Sequence, residues 1–337
     1  MTVEELEDVL SRPTPADVAA AADLGGDIAV VGAGGKMGPS LARLIRRALD
    51  AAGRSHRIIA VSRFSGPGLA DRLKADGIEV VRADLLDPGA VRALPEVRHV
   101  ILMAGHKFGS TADPSLTWAT NVLLSTDVAR RYAGSRIVAF STGNVYPLNP
   151  VGGRGPREDD AVGPIGEYAQ SALARERILT HLSRRHDTPM AILRLNYAVE
   201  PRYGVLRDVA DRVLARMPVP LGMGYVNVIW QRDANSIAFR SLARCASPPF
   251  ILNVTGIEIL SIRELALEFG RRFGIAPAFE GREEGTALLS NAARCRDLFG
   301  PPTMSVTDLV SLVADWVRAG GDSLGKPTRF EEREGRF

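Results

Sequence analysis

Residues 27–38 read Asp27-Ile28-Ala29-Val30-Val31-Gly32-Ala33-Gly34-Gly35-Lys36-Met37-Gly38, so an apolar run leads into glycines spaced three residues apart. Apolar residues then recur at helical spacing from Leu41 to Leu49. This pattern predicts a buried strand, a tight glycine turn and the start of a helix. A turn without Cβ atoms lets the backbone approach a pyrophosphate, and a helix N-terminus offers that group free N–H donors. The stretch therefore predicts a site for the phosphates of a dinucleotide.

The composition is that of a globular protein with a sizeable core. Of the 337 residues, 45% are hydrophobic and 24% are charged, and a chain of this length is expected to form roughly two domains. The formal net charge is +3 without a long basic run, so we expect no nucleic-acid partner. The sequence shows no apolar run of membrane-spanning length and no signal peptide. We therefore expect a cytoplasmic protein that does not enter a membrane.

The cysteines and histidines indicate neither a disulfide framework nor a metal site. Cys245 and Cys295 stand far apart without CxxC spacing, which is typical of reduced core residues. The five histidines show no ligand spacing with cysteines or carboxylates. We expect no bound metal.

Strands and helices alternate through the first part of the chain. After the opening strand, further strands are predicted at 57–63, 78–81, 100–105, 136–140 and 190–195, with helices at 118–132 and 168–183. This alternation predicts a Rossmann-type α/β fold, a doubly wound parallel sheet with right-handed crossovers. Beyond Pro201 the pieces are shorter, with strands at 226–229 and 250–254 and helices at 206–217, 233–244, 262–273, 288–299 and 306–317.

Four regions follow from this pattern. Residues 1–26 form a helical arm of two short helices, and residues 27–200 form a dinucleotide-binding Rossmann domain to which elements from about 226–255 return. Residues 201–325 mainly form a smaller α/β substrate-binding lobe, and residues 326–337 form a charged tail on the surface.

The end of the second strand bears on the choice of cofactor. In folds of this kind an acidic residue at that point binds a ribose 2′-OH, whereas an arginine accommodates a 2′-phosphate. Here the pair is Ser62-Arg63 and no acid is present. The sequence therefore favours NADP over NAD.

An ordered set of motifs resembles that of the extended short-chain dehydrogenase/reductase family, the NAD(P)-dependent sugar epimerases and dehydratases. The resemblance covers about residues 27 to 320. Its motifs are the glycine turn, Asp84-Leu85, Ala104-Gly105, Asn121-Val122, Ser141-Thr142-Gly143-Asn144-Val145-Tyr146, Tyr168 with Glu176, and Arg194 with Pro201-Arg202.

The resemblance implies a role for each of these positions. It implies that the cofactor contacts are Gly32, Gly35, Lys36, Met37 and Gly38 at the pyrophosphate, Ser62 and Arg63 at the adenosine ribose, Asp84 and Leu85 at the adenine, Ala104 and Gly105 at the nicotinamide ribose, with Asn121 and Tyr168 nearby. Thr142 and Tyr168 would be the catalytic hydroxyl and the acid/base, and Asn144 a substrate contact. A homodimer that pairs helices near 117–133 and 168–183 is also implied.

The sequence departs from the family at the catalytic lysine. The family motif is Tyr-x-x-x-Lys, whereas this chain reads Tyr168-Ala169-Gln170-Ser171-Ala172. A close cation lowers a phenol's pKa, so its loss weakens Tyr168 as a base. Three explanations remain open. Lys107 supplies the cation, His106 shares the proton transfer, or the protein binds a dinucleotide without turnover.

A second departure concerns the substrate. Tyr197 and Glu200 replace an asparagine and a glycine that the nucleotide-sugar enzymes of the family usually carry. An amide suits a diphosphate, and a carboxylate repels one. The sequence therefore favours a smaller polar substrate, such as a free sugar, a sugar acid or a keto derivative, with Tyr197, Trp230 and Gln231 as candidate pocket residues. Two functions stay open: an oxidoreductase, epimerase or dehydratase, and a dinucleotide-binding sensor or scaffold.

Overall fold

A computed structural model describes residues 1–326 and 328–337 of the chain. Within them, one parallel sheet contains seven strands: β1 (Ile28–Val31), β2 (Ile58–Ser62), β3 (Glu79–Arg82), β4 (His99–Leu102), β5 (Arg136–Thr142), β6 (Met190–Leu195) and β7 (Phe250–Val254). Their order across the sheet is β7-β6-β5-β4-β1-β2-β3. The chain runs outward from β1 in one direction and then returns to β4 on its other side. The predicted doubly wound α/β fold is confirmed.

Helices cover the sheet and build the second lobe. They are α1 (Val3–Leu10), α2 (Pro15–Asp23), α3 (Gly38–Ala51), α4 (Leu69–Ala75), α5 (Pro88–Arg92), α6 (Pro114–Trp118), α7 (Leu124–Arg131), α8 (Gly166–His186), α9 (Val205–Leu214), α10 (Gln231–Arg240), α11 (Ile262–Phe273), α12 (Ala293–Phe299) and α13 (Val306–Arg318). A π-helical turn spans Ala119–Leu123, and 3-10 turns span Gly143–Val145 and Ser241–Arg244. Two-residue strands pair Asn149–Pro150 with Thr286–Ala287, Ala198–Val199 with Ile229–Trp230, Val219–Pro220 with Phe279–Glu280 and Tyr225–Val226 with Leu260–Ser261.

The sheet lies between two apolar layers. Ile28 and Val30 of β1 point into one layer, with α3 and α10, and Ala29 and Val31 point into the other. All four side chains are inaccessible to solvent. A strand that is buried on both faces needs a continuous apolar run, which explains the unbroken sequence before the glycine turn.

A second core gathers side chains of α9, α11 and α13. Helix α1 belongs to it, because Leu6 and Leu10 are fully buried there. Helix α2 is tied to α10, where Asp17 accepts a hydrogen bond from the Ser236 hydroxyl and pairs with Arg232 at 3.5 Å. The predicted N-terminal helices therefore form, and they pack as part of the body of the molecule.

The structure differs from the sequence pattern at several places. The strand predicted over 226–229 is divided between Tyr225–Val226 and Ile229–Trp230, which pair with different segments. The helix predicted over 118–132 is interrupted by the π-helical turn. The helix predicted from residue 288 begins at Ala293, because Thr286–Ala287 pairs as a short strand. The tail predicted on the surface is partly buried, since Phe330 and Phe337 are 1% and 4% exposed. Pro327, which the predicted tail includes, lies outside the described residues.

No helix among the described residues combines the length and the apolar character that crossing a membrane requires.

Candidate active site

The glycine turn after β1 is built so tightly that two of its positions exclude a side chain. Gly32 has φ of +92°, and a Cβ there would lie 2.5 Å from the backbone nitrogen of Ala104. A Cβ on Gly38 would lie 2.4 Å from the carbonyl oxygen of Ala33. Gly35 differs, because its Cβ would meet only the Gly32 oxygen at 3.4 Å. The turn leads into α3 between β1 and β4, the point where the strand order reverses and where ligands bind in such sheets. This cradle fits a dinucleotide pyrophosphate.

The end of β2 presents a hydroxyl and cations. Ser62 Oγ lies 2.5 Å from the point where a Cβ on Gly34 would stand, so the hydroxyl packs directly against the glycine turn. Arg63 is exposed, and Arg82 Nη1 donates to the carbonyl oxygens of Arg63 and Phe64 at 3.1 and 2.9 Å. The sequence places no carboxylate at this strand end.

The remaining residues predicted near the cofactor divide between surface and core. Asp84 is exposed after β3, and its Oδ1 accepts a hydrogen bond from the Leu86 nitrogen at 3.0 Å. Leu85 and Met37 are buried. The side chain of Lys36 extends to the segment around residues 198–203, where its Nζ donates to the Ala198 oxygen at 3.2 Å and lies 3.5 Å from the centroid of the Tyr203 ring. Burial lowers the pKa of Lys36 to about 7.

Asn121 fixes the segment that follows β4. Its Oδ1 accepts a hydrogen bond from the His106 nitrogen at 2.8 Å, and its Nδ2 donates to the His106 oxygen at 3.0 Å. Asn121 lies in the π-helical turn and is fully buried. These paired bonds hold Ala104 and Gly105 at the open end of the sheet, next to the glycine turn.

Thr142 and Tyr168 come together at the end of β5. The Thr142 hydroxyl donates to Asn144 Oδ1 at 2.9 Å and accepts from the Asn144 nitrogen at 3.2 Å. Tyr168 lies in the first turn of α8. Burial raises the pKa of Tyr168, and the Thr142 hydroxyl and the Arg175 charge act in the opposite direction. The pair combines a fixed hydroxyl with a phenol, as proton exchange with a substrate hydroxyl requires.

Lys107 stands beside the same phenol ring. Its Nζ lies 5.7 Å from the centroid of the Tyr168 ring and 4.2 Å from that of Phe337. Burial lowers the pKa of Lys107 to about 8. The structure therefore brings Lys107 to Tyr168, while the neighbouring His106 is held through its backbone by Asn121.

The sequence reasoning missed two residues of this site, Arg175 and Phe337. Arg175 stands seven residues after Tyr168 on α8, a spacing that places both on one helix face and that was open to sequence inspection. The Phe337 ring packs edge-to-face on the Tyr168 ring, with centroids 5.8 Å apart and an angle of 81°. No sequence signal marks Phe337, since it is distant in the chain from the motifs.

Residues 328–337 form a C-terminal segment that packs over the site, with Phe337 against Tyr168. The Thr111 nitrogen donates to the Phe337 oxygen at 3.3 Å, and a Cβ on Gly166 would lie 2.4 Å from the Gly335 oxygen. Arg333 Nη1 donates to the oxygens of Thr286 and Gly222 at 2.7 and 2.9 Å. A cavity of only about 20 Å³ remains beneath the segment, and its lining includes Asn144, Leu288 and Phe337.

Of the other predicted substrate residues, Tyr197 packs against the apolar cluster that contains Met223 and Leu288 of the cavity lining, whereas Trp230 and Gln231 lie elsewhere. Trp230 is buried in the second core, and Gln231 is buried where its Nε2 donates to Ser40 Oγ on α3 at 3.2 Å. Tyr197 has φ of +43° and packs at the edge of the second core.

Glu200 differs from the open carboxylate that the sequence reasoning assumed. It is fully buried and accepts a hydrogen bond from Arg202 Nε at 3.1 Å. Its charge is therefore neutralised by Arg202 and does not repel a ligand in the way expected from the sequence.

Among the described residues, no group of three or more His, Cys, Asp or Glu side chains is arranged to hold a metal ion.

Residues 28–223 match the model of the NAD dependent epimerase/dehydratase family. The match covers more than half of the chain, and the chain belongs to this family. No curated protein matches the sequence.

Several solved structures have the same fold, and this chain aligns with nearly their whole length. A UDP-glucuronic acid 4-epimerase from Bacillus cereus, in complex with UDP-4-deoxy-4-fluoro-glucuronic acid and NAD, has a TM-score of 0.74 at 17% identity and covers 87% of this chain and 99% of its own. The enzyme WbmG of Bordetella bronchiseptica, in complex with NAD and UDP, has a TM-score of 0.73 at 20% identity over 90% and 99% of the two chains. A UDP-glucose 4-epimerase from Thermus thermophilus, in complex with NAD, has a TM-score of 0.69 at 22% identity over 87% and 99%.

Proposed function

We propose that this chain is an NAD(P)-dependent oxidoreductase, epimerase or dehydratase that acts on a sugar or a sugar-derived alcohol or ketone. The observation that carries the proposal is the meeting of Thr142 and Tyr168 at the end of β5. The family membership supports an enzyme of this class.

The residues around the turn fit a pyridine dinucleotide. Gly32, Gly35 and Gly38 would receive the pyrophosphate, and Ala104 with Gly105 would line the nicotinamide ribose. Ser62 and Arg63 support NADP over NAD, because a hydroxyl and a guanidinium suit a 2′-phosphate and no carboxylate opposes it. The solved relatives hold NAD. The ratio of the two dissociation constants, in the wild type and in Arg63→Ala, tests this preference.

The chemistry assigned to the chain is a proton exchange. A bound nicotinamide would accept or return a hydride at the substrate carbon. Tyr168 Oη takes the proton of the substrate hydroxyl during oxidation and returns a proton to the carbonyl oxygen during reduction. The Thr142 hydroxyl holds the same substrate oxygen by a hydrogen bond, and Asn144 fixes that hydroxyl through the bonds described above.

A small polar substrate remains the proposal, because Tyr197 replaces the asparagine whose amide would suit a diphosphate. With residues 328–337 in place, the cavity beside Asn144 measures about 20 Å³, room for about one water molecule, so either a sugar or a nucleotide requires this segment to move. The relatives from Bacillus cereus and Bordetella bronchiseptica hold a UDP-sugar and UDP, respectively. A substrate panel should therefore contain free sugars, sugar acids and UDP-sugars.

A homodimer is also proposed. Leu116, Trp118 and Leu123 expose apolar side chains along α6 and the π-helical turn, in the region that the family resemblance assigns to dimer contacts. Sedimentation velocity distinguishes a dimer from a monomer.

The decisive experiment follows nicotinamide absorbance with this panel in the wild type and in Tyr168→Phe. We expect turnover with at least one substrate and its loss in the variant. Unchanged turnover in Tyr168→Phe would refute the assigned acid/base.

A dinucleotide-binding sensor or scaffold is the second candidate. Two observations favour it: Ala172 replaces the lysine, and Phe337 covers Tyr168. Tight dinucleotide binding without turnover of any panel member supports this candidate, and hydride exchange excludes it.

A further inference from the structure

Arg175 shares the face of α8 that carries Tyr168. The two residues are seven apart, which is close to two helical turns. Helical side chains lean toward the N-terminus of their helix, so the guanidinium of Arg175 reaches back toward Tyr168. Arg175 is only 6% exposed.

Three hydrogen bonds fix the position of this guanidinium. Nε donates to the Asn121 oxygen, Nη2 to Asn121 Oδ1 and Nη1 to the Phe140 oxygen, each at 2.8 Å. The Nδ2 of Asn121 donates in turn to Ser171 Oγ at 2.9 Å. The guanidinium therefore lies beside the turn of α8 that contains residue 171 and the vacant lysine position, 172.

The alanine at position 172 packs among apolar side chains. Ala172 is 3% exposed and packs in an apolar cluster with Val145 and Tyr146, flanked by Val162 and Leu173. A cation for Tyr168 must therefore come from another position.

The charge of Arg175 is not neutralised by its neighbour Glu176. The Glu176 carboxylate forms an ion pair with Arg194, whose Nη2 lies 2.8 Å from Oε2, and both side chains are 5% exposed. Arg175 has five N–H donors, and the described residues engage three of them. One hydrogen on each Nη is left, and Nη2 lies 3.1 Å from the point where a Cβ on Gly105 would stand.

We propose that Arg175 is the positioning residue that supplies, from one turn further along α8, the positive charge that the family's lysine would supply to Tyr168. The proposal rests on the proposed role of Tyr168 as acid/base.

Lys107 is the rival source of this charge, and Tyr203 and Thr142 are the other polar groups acting on the phenol or near it. With residues 328–337 in place, burial lowers the pKa of Lys107 to about 8, so in this closed structure the ammonium loses its proton before a phenol ionises. Burial lowers the pKa of Arg175 only to about 10, and the interaction with Tyr168 opposes that decrease. Arg175 thus keeps its charge to higher pH than Lys107 does in the closed structure.

The test measures the ionisation of Tyr168 without substrate or cofactor. The full chain carries 3,5-difluorotyrosine at position 168, whose more acidic phenol titrates in a range where the fold is intact. Phenolate absorbance against pH is compared in this background and in Arg175→Met, Arg175→Lys and Lys107→Met, with circular dichroism and melting curves for each. Dinucleotide affinity is measured in parallel by calorimetry.

We expect Arg175→Met to raise the phenol pKa by about one unit or more, as loss of a nearby opposite charge does. Arg175→Lys keeps most of the effect, and Lys107→Met shifts the pKa by less than Arg175→Met. If Arg175→Met does not fold, Arg175→Gln takes its place with the same expectation.

Two results would overturn the proposal: a folded Arg175 variant that lacks the charge yet leaves the pKa unmoved, or a larger shift in Lys107→Met. A lower melting temperature without a pKa shift also refutes it, because it assigns Arg175 a purely structural role. The titration is independent of turnover, so its failure is distinguishable from a failure of the proposed enzymatic function.

Discussion

Substitutions in the glycine turn can distinguish glycines that the fold requires from glycines that ligand binding requires. Gly35→Ala adds a methyl group whose nearest neighbour would be the Gly32 oxygen at 3.4 Å, an ordinary van der Waals distance. The free energy of unfolding should therefore change by no more than about 0.5 kcal/mol. The same methyl group stands on the surface where the pyrophosphate is expected. Overpacking there costs about 1–3 kcal/mol, which weakens dinucleotide binding roughly 5- to 150-fold.

Gly38→Ala is the contrasting variant. Its Cβ would lie 2.4 Å from the Ala33 oxygen and 2.6 Å from the Ala33 Cα, so the turn itself must move. We expect this variant to lose about 1–3 kcal/mol of folding stability as well as dinucleotide affinity. Gly134→Ala is the neutral control, because a Cβ there meets nothing within 4 Å.

The assay pairs chemical unfolding without ligand with calorimetry of NADP and NAD. We expect weakened binding with unchanged stability only for Gly35→Ala. If Gly35→Ala binds both dinucleotides as tightly as the wild type, the pyrophosphate does not lie on this turn.

Three further predictions concern the tail, a lysine and a buried ion pair. Phe337→Ala should increase the nitration of Tyr168 several-fold, as mapped by mass spectrometry, because the Phe337 ring covers the phenol. Arg336→Ala changes an exposed side chain and should leave the nitration rate unchanged, so equal rates in the two variants would contradict the covering role of Phe337. Burial lowers the pKa of Lys36 from 10.5 to about 7, so between these pH values the unfolded chain binds more protons and the free energy of unfolding rises with pH. Unfolding measured at several pH values should show a smaller rise in Lys36→Met, and an identical dependence of the unfolding free energy on pH would count against the burial of the ammonium. Glu176→Gln leaves Arg194 without its carboxylate in a buried site and should cost about 3–5 kcal/mol of unfolding free energy; Glu268→Gln, at a surface pair, should cost less than about 1 kcal/mol, and similar losses in both would refute the buried pair's importance.

Strands and the glycine turn were accessible from the sequence because their patterns are local. The strands at 190–195 and 250–254 have the predicted bounds, since each is a mainly apolar run, interrupted only by Arg194 and Asn253, in the sheet. The 288–299 helix was predicted too long because pairing of Thr286–Ala287 with distant residues 149–150 is a tertiary effect. Trp230 and Gln231 were expected in the pocket on chemical type alone, and burial in the core decided otherwise.

The surroundings of the candidate catalytic residues were only partly accessible from the sequence. Thr142 and Tyr168 stood in recognisable motifs, and Lys107 followed a predicted strand. Arg175 escaped because the family pattern directs attention to the fourth residue after the tyrosine, whereas a longer side chain reaches the same place from the seventh. Phe337 escaped because its contact with Tyr168 spans a large part of the chain.

The charge of Lys107 depends on whether residues 328–337 cover the site. Its ammonium lies between the rings of Tyr168 and Phe337, and burial there lowers its pKa to about 8. Displacement of Phe337 would hydrate the ammonium and return its pKa toward the ordinary value of 10.5. The charge beside Tyr168 would then rise when the segment opens and fall when it closes, whereas Arg175, held by Asn121 and Phe140, would contribute a constant charge in both states. A substrate that displaces residues 328–337 would thereby meet a more acidic phenol than the one in the closed structure.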